Sequence, residues 1–283
     1  MVTAVLPLED ELGDVLEKAL RAAGFTPDAL AGRARVDAAR IRDAIDYRSD
    51  LACDELRRIA AALGLNEVGL CALGAGRYPL PGIAGLPFHL HALRMAHGIG
   101  VANAYLVTEA GADHGLLFDV GADFAALRRS WPGTVTKIDA IFLTHVEAEH
   151  TGGLCDALAA FSAPHAFVPE GATIPCSEPL AEGAKRLFGS LEVRAFNTPG
   201  HCAAHNCYLV RSLAASTGAG AALLVSGDLL FAGSVGGGYY CHRRLAEQLR
   251  RVMDAVPPDT VVAPGHGPLT TIKNERQFNP FVI

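Results

Sequence analysis

The densest chemistry in this sequence lies in one short stretch, Thr144-His145-Val146-Glu147-Ala148-Glu149-His150-Thr151-Gly152-Gly153. It follows the apolar run AIFL, so it is expected where a buried strand ends and a helix begins. His145 and Glu147 are two residues apart and can face the same way if the segment stays extended, while the adjacent Glu149 and His150 can diverge toward a second ion. Four potential ligands in six residues would be costly to crowd together without a cation to share. A lone H-x-E would be only a polar loop. Three later segments argue otherwise: Thr198-Pro199-Gly200-His201, Ser226-Gly227-Asp228 and Pro264-Gly265-His266-Gly267. Each places a His or Asp just past a predicted strand, beside a glycine that lets the backbone turn tightly.

The pattern TH-x-x-x-x-H-x-GG, TPGH, GD-x-LF and PGHGP resembles that of the metallo-β-lactamase superfamily and covers nearly all of residues 88–283. The ending PGHGPLTTIKNERQFNPF looks most like the glyoxalase II-like branch, which includes hydroxyacylglutathione hydrolases and persulfide dioxygenases. The resemblance implies an α/β fold, an αβ/βα sandwich with a dinuclear metal site at one edge of the packed sheets. Carried over by position, it implies that His145, Glu147 and His201 hold one ion, that Glu149, His150 and His266 hold the other, and that Asp228 bridges them, with Asp228 and Glu149 as the catalytic carboxylates. Two divalent ions are thus expected, iron or zinc, with manganese a further candidate.

The sequence departs from the family's usual H-x-H-x-D-H at two positions. Glu149 replaces an aspartate and keeps the charge; Glu147 replaces a histidine and lowers the charge of the cluster by one. A less positive centre polarises a carbonyl less and tolerates a trivalent ion better. His145, His201 and Glu147 also form a two-histidine, one-carboxylate set of the kind non-haem iron favours. The flavodiiron proteins of the superfamily look similar here. No flavin-binding domain and no glutathione-holding domain follow Ile283, so a self-contained flavodiiron electron chain is not expected. Two enzyme readings stay open: a hydrolase of ester, thioester or related bonds, which the ending favours, and a non-haem iron oxidoreductase acting on oxygen or a sulfur substrate, which Glu147 favours. A metal-sensing regulator is a third.

Around these residues, His205, Tyr239, Tyr240 and His242 are candidate contacts for a small-molecule substrate. Cys202 adjoins a candidate ligand and is read as a small buried thiol, and Asp119 in LLFDVGAD is expected to orient a ligand.

The elements that must position this chemistry follow from pattern. From Phe88 onward, short β-type runs such as NAYLVTE, GLLFDVG, DAIFLTH, NCYLVRS, AALLVSGD and TVVAPGH alternate with helices expected near 122–130, 152–161, 178–187 and 242–255. Residues 1–75 read as an all-helical domain: Leu12, Val15, Leu16, Ala19 and Leu20 share a face, Thr26-Pro27 and Asp37 start helices, and a helix beginning near Asp54 stops at Gly64. A Gly/Pro-rich linker at 76–87 separates it from the catalytic domain at 88–283.

The stretch with LRRIAAALGL, about residues 8–72, resembles the lambda-repressor-like helix-turn-helix fold. Its charge speaks against DNA: residues 1–75 hold nine Lys and Arg against 13 Asp and Glu, whereas a phosphate-binding face should be basic. A dimerising or site-covering module, with a homodimer through these helices, is expected instead. The whole chain of 283 residues carries a net charge of −6 and 50% hydrophobic residues, ample for a packed core. No apolar run is long enough to span a membrane and no signal peptide is read, so a cytoplasmic protein is expected. Its seven scattered cysteines, never in C-x-x-C, suggest neither a disulfide framework nor a cysteine zinc site.

Overall fold

Two six-stranded sheets stack face to face in a computed structural model that describes residues 6–98, 100–214 and 222–283. The first five residues of the expected helical domain and Ala221 of the expected AALLVSGD strand lie outside the described residues. One sheet runs in the order β1 (His89–His97), β2 (Gly100–Thr108), β3 (His114–Phe118), β4 (Lys137–Phe142), β5 (Ala166–Pro169) and β6 (Glu178–Leu180). The other runs β12 (Thr270–Thr271), β11 (Val261–Pro264), β10 (Leu223–Gly227), β9 (Asn206–Ser212), β8 (Leu191–Asn197) and β7 (Lys185–Phe188). The pairs β3–β4 and β10–β11 are parallel, so within each sheet the two strands of the pair end at the same edge, and the residues that follow β4, β10 and β11 converge there.

The inner core lies between the sheets around Phe118, Phe142, Tyr105 and Tyr208. Phe142 stacks on Phe118 and Phe167, both with ring centroids 5.1 Å away, so Phe142→Ala should cost about 3–5 kcal/mol. Helices α6 (Phe124–Arg129) and α8 (Leu154–Phe161) cover one outer face, and α9 (His242–Ala255) and α10 (Ile272–Phe278) cover the other. The short α7 (Ala148–Thr151) carries the second half of the metal motif.

One expected helix is corrected. Residues 178–187 form β6, a turn and the start of β7. Pro179 cannot donate within a helix, and the segment extends each sheet at its edge instead.

The N-terminal segment is helical as its periodicity requires: α1 (Leu12–Ala23), α2 (Pro27–Ala34), α3 (Ala38–Ile45), α4 (Cys53–Leu63) and α5 (Glu67–Gly74). The caps are local chemistry. The Thr26 and Asp37 side chains accept from the backbone at the starts of α2 and α3, and Gly64 ends α4 in the left-handed conformation. Leu16, Leu30, Ile41, Ile59 and Leu70 share one small core.

A pairing not suggested by spacing is present: Cys53 and Cys71 form a disulfide between α4 and α5. The cysteines lie 18 residues apart and meet because those two helices pack together. The helices are anchored to the sandwich. Asn66 N–H donates to the Pro280 carbonyl at 2.8 Å, and the Tyr78 hydroxyl donates to buried Glu275 at 2.9 Å. No helix among the described residues is long and apolar enough to cross a membrane.

Candidate metal centre

The motif after β4 is held in place by the core beneath it. The Tyr208 hydroxyl donates to the Leu143 carbonyl and Asn206 N–H to the Thr144 carbonyl, both at 2.7 Å. Asp119 does the finer positioning. Its Oδ1 accepts the Thr144 amide at 2.8 Å, and its Oδ2 accepts the Thr144 hydroxyl at 2.9 Å and faces His150 Nδ1 at 3.0 Å. Asp119 adopts φ +58°, a left-handed conformation costly for a residue with a Cβ, which this hydrogen-bond set sustains.

The tautomers follow from the partners. The single hydroxyl proton of Thr144 goes to Asp119, so its oxygen must accept from His145 Nδ1 at 2.9 Å. His201 Nδ1 faces the Gly237 carbonyl at 2.9 Å and His266 Nδ1 faces the Val101 carbonyl at 3.0 Å, and a carbonyl can only accept. All four Nδ1 atoms therefore point outward as donors, and the Nε2 atoms of His145, His150, His201 and His266 point inward.

Two groups converge there, each with ligand atoms within 4.8 Å of one another: His145, His201 and Asp228, and His150, Asp228 and His266. Asp228 belongs to both. His145 Nε2, His150 Nε2 and Asp228 Oδ1 are buried with no hydrogen-bond partner. Such orphaned polar atoms are costly unless something occupies the space between them, and a divalent cation fits a set of imidazole nitrogens and carboxylate oxygens.

Glycine makes the convergence possible. A Cβ on Gly265 would lie 2.2 Å from Asp228 Oδ1, and Gly227, at φ +49°, turns the chain to present Asp228.

Charge in the cluster is unevenly distributed. Burial, and then the surrounding histidines, push the His145 pKa well below its ordinary value, so it is a neutral donor. Burial acts the same way on His150, but Asp119 and then Asp228 outweigh it and raise that ring to about 9. His201 is likewise raised against its burial, chiefly by its hydrogen bond with Glu147. Without a cation Asp119 and Asp228 favour a proton on His150 and Glu147 favours one on His201; a cation would displace them.

The carboxylates of the motif are less central than expected. Glu147 reaches the cluster edge: Oε1 is 3.0 Å from His201 Nε2 and Oε2 is 3.9 Å from His145 Nε2. It belongs to neither converging group.

Glu149 departs further from its expected place as ligand and catalytic carboxylate. It precedes His150 on α7 and lies outside both converging groups, with Oε2 3.9 Å from His97 Nε2, although it lines the same cavity.

His205 is also corrected as a substrate contact. It is fully buried, its Nε2 accepts the Asp228 amide at 3.1 Å, and its Nδ1 lies 2.7 Å from the Thr198 hydroxyl. It holds the backbone that presents Asp228. The Cys202 thiol is pushed up to about 12 by burial and then by Glu147 and Asp228, in keeping with an inert thiol.

Tyr239 is 73% exposed and stacks edge-on to His201, with centroids 5.4 Å apart; Tyr240 is also exposed, and its amide donates to the His201 carbonyl at 3.0 Å. Tyr239 and His242 line a cavity of about 370 Å³ together with Glu147, Glu149, Asp228 and His266.

The opposite wall of that cavity is α1 and the turn before it. Sequence reasoning raised a site-covering module without naming these residues. The only signal was the acidic run LEDELGDVLEK, which looks like any solvated helix face.

Taken together, these elements define an α/β sandwich with a histidine–carboxylate metal centre at the sheet edge. The metallo-beta-lactamase superfamily profile matches residues 97–266, and the chain belongs to that superfamily. It is similar to the probable metallo-hydrolase YqgX of Bacillus subtilis (strain 168), 28% identical over 67% of this chain and 96% of that one. It is also similar to the hydroxyacylglutathione hydrolase of Halorhodospira halophila, 29% identical over 62% of this chain and 64% of that protein. Among solved structures, TTHA1623 in a di-iron-bound form is 31% identical, with a TM-score of 0.51, covering 67% of this chain and 99% of the other. Helices α1–α5 lie outside the matched residues.

Proposed function

We propose that the chain is a metal-dependent hydrolase of the glyoxalase II-like branch, acting on an ester, thioester or related bond of a small molecule. The observation that carries this reading is the pair of converging groups sharing Asp228, with His145 Nε2, His150 Nε2 and Asp228 Oδ1 left orphaned and buried. His145, His201 and Asp228 would hold one divalent cation, and His150, Asp228 and His266 a second. Bound there, such cations supply an activated water at neutral pH and polarise the substrate carbonyl.

The chain's own residues do the rest. Asp119 and the carbonyls of Val101 and Gly237 fix the ring tautomers, and His205 fixes Asp228. Tyr239, lining the cavity and exposed, would offer an aromatic face to the substrate, with the exposed Tyr240 next to it in sequence and His242 lining the same cavity.

A second reading, a non-haem iron oxidoreductase, draws on Glu147 beside His145 and His201 and on the similarity to a protein solved in a di-iron-bound form. For either reading we take the resident metal to be iron or zinc, the compartment to be the cytoplasm, and the acidic helices not to bind DNA.

Purification without chelator or oxygen, followed by elemental analysis and assay on S-acetyl-2-mercaptoethanol, separates the readings. Metal-dependent thiol release supports the hydrolase. Oxygen consumption on a persulfide with no thioester turnover supports the oxidoreductase. Metal-free protein inert in both assays contradicts both.

A further inference from the structure

The cavity over the metal centre is walled on one side by residues the superfamily profile does not reach: Glu9, Asp10, Asp14, Glu17, Lys18 and Arg21. Asp10 and Lys18 lock this wall in place. Lys18 pairs with Asp10 and donates to the Val235 carbonyl at 2.8 Å, and the Ser234 hydroxyl donates to Asp10. Val235 and Ser234 belong to the loop that follows Asp228, so the wall is tied to the segment that presents the shared carboxylate. Gly267, next to His266, packs directly on the Glu9 backbone, where a Cβ would come within 3.0 Å of Glu9 N. The wall is therefore part of the site's construction.

Its charges do not cancel. Asp10 answers Lys18, and Glu17 answers Arg21 at 2.6 Å. Glu9 and Asp14 remain without a cationic partner of their own. Asp14 accepts the Glu11 amide at 2.9 Å, and Glu9 Oε1 lies 3.9 Å from His266 Nδ1. Across the cavity, Asp228 is more than nine-tenths buried, and its Oδ1 has no partner. A ligand entering this space thus meets a centre that calls for cations at its floor and a net-negative rim on its α1 side.

We propose that the N-terminal segment and α1 form a specificity wall of the active site, selecting substrates with a positively charged group, such as an amine, distal to the scissile bond, and disfavouring anionic ones. This rests on the metal-centre reading above. The rim acts at a distance and so contributes through the local field rather than through direct contact, and it should weaken with salt.

The test uses the full chain loaded with cobalt(II) and two rigid thiols that differ in distal charge, 4-(aminomethyl)thiophenol and 4-mercaptobenzoate. Binding is read from thiolate-to-cobalt absorption at pH 8, and the reported quantity is the ratio of the two affinities. Taking the ratio between wild type and variant cancels the intrinsic difference between the thiols. Charges roughly 8 Å apart in water change that ratio about fivefold for each unit of charge. Glu9→Gln should lower the preference for the cationic thiol by about that factor, and Glu17→Lys, on the exposed face of α1, by about tenfold or more. Both effects should largely vanish in roughly 1 M salt. A ratio that moves in neither variant overturns the wall while leaving the metal centre standing. A chain that takes up no cobalt overturns the metal reading and the inference with it.

Discussion

The two ligand groups that share Asp228 are held differently. His145 and His201 sit in the interior, at 0% and 3% exposure, with the strand end before His145 fixed by Tyr208 and Asn206, and His150 of the other group is buried equally, at 0%. His266 is at the rim, its ring oriented by one carbonyl of β2 and its neighbourhood completed by Glu9. The interior group also has Glu147 within reach of both its histidines, whereas the motif carboxylate expected for the other group turns toward His97. A centre built this way should be asymmetric, with the His145–His201 side binding its ion more tightly and exchanging it more slowly.

The largest effect is expected at the shared residue. Asp228→Ala should remove both ions and lower turnover on the order of a thousandfold, a loss typical of a metal centre's contribution. The far-ultraviolet helix signal of α1–α5 should persist. Elemental analysis with circular dichroism checks this, and a variant with full metal content would show that Asp228 is not shared.

The asymmetry itself is tested by comparing His201→Ala with His266→Ala. The second should keep about one tightly held ion, and the first should lose the tighter one. The reverse order would break the comparison.

Glu147→His should shift the metal found after expression in mixed iron and zinc toward zinc, and raise thioester hydrolysis relative to any oxygen-dependent turnover. Unchanged metal content and turnover would remove Glu147 from the site.

His205→Ala should weaken metal binding by about 10–100-fold, the usual cost of losing a group that orients a ligand. His205→Gln, which can still accept the Asp228 amide, should recover part of that loss.

The smallest effect is protonic. Because Asp119 and Asp228 raise His150 to about 9, that ring carries a proton at pH 7 in the metal-free protein. Metal uptake must displace it. Affinity should therefore rise with pH up to about 9, by about tenfold per pH unit for His150 alone and more steeply where the raised His201 also gives up a proton, and calorimetry in buffers of different ionisation enthalpy should register proton release at pH 7. No release would mean that His150 is not a ligand.

The interior of the site was legible in the sequence because its chemistry is written in short strings. THVEAEH, TPGH, SGD and PGHG each pair a ligand with a strand end or a glycine, and the structure gathers His145, His150, His201, Asp228 and His266. Glu149 lines the cavity but stands outside both converging groups, because position in a motif does not fix direction on a one-turn helix, where adjacent residues point about 100° apart. The 178–187 segment was misread because its strands are short edges set by tertiary pairing, with no period of their own. The α1 wall was not legible at the level of residues. Glu9, Asp14 and Glu17 carry no motif, and only the anchoring of Lys18 and Asp10 to the loop after Asp228 reveals which way that helix faces. The disulfide is similar, since two distant cysteines become a pair only once α4 and α5 are packed.

The central claim is a centre for two cations sharing one carboxylate, and metal stoichiometry tests it most directly. Protein purified without chelator or oxygen and assayed by elemental analysis should contain about two metal ions per chain, iron, zinc or a mixture. A reproducible value near one would remove the His150–His266 half, and a value near zero after reconstitution with iron and zinc would contradict the account.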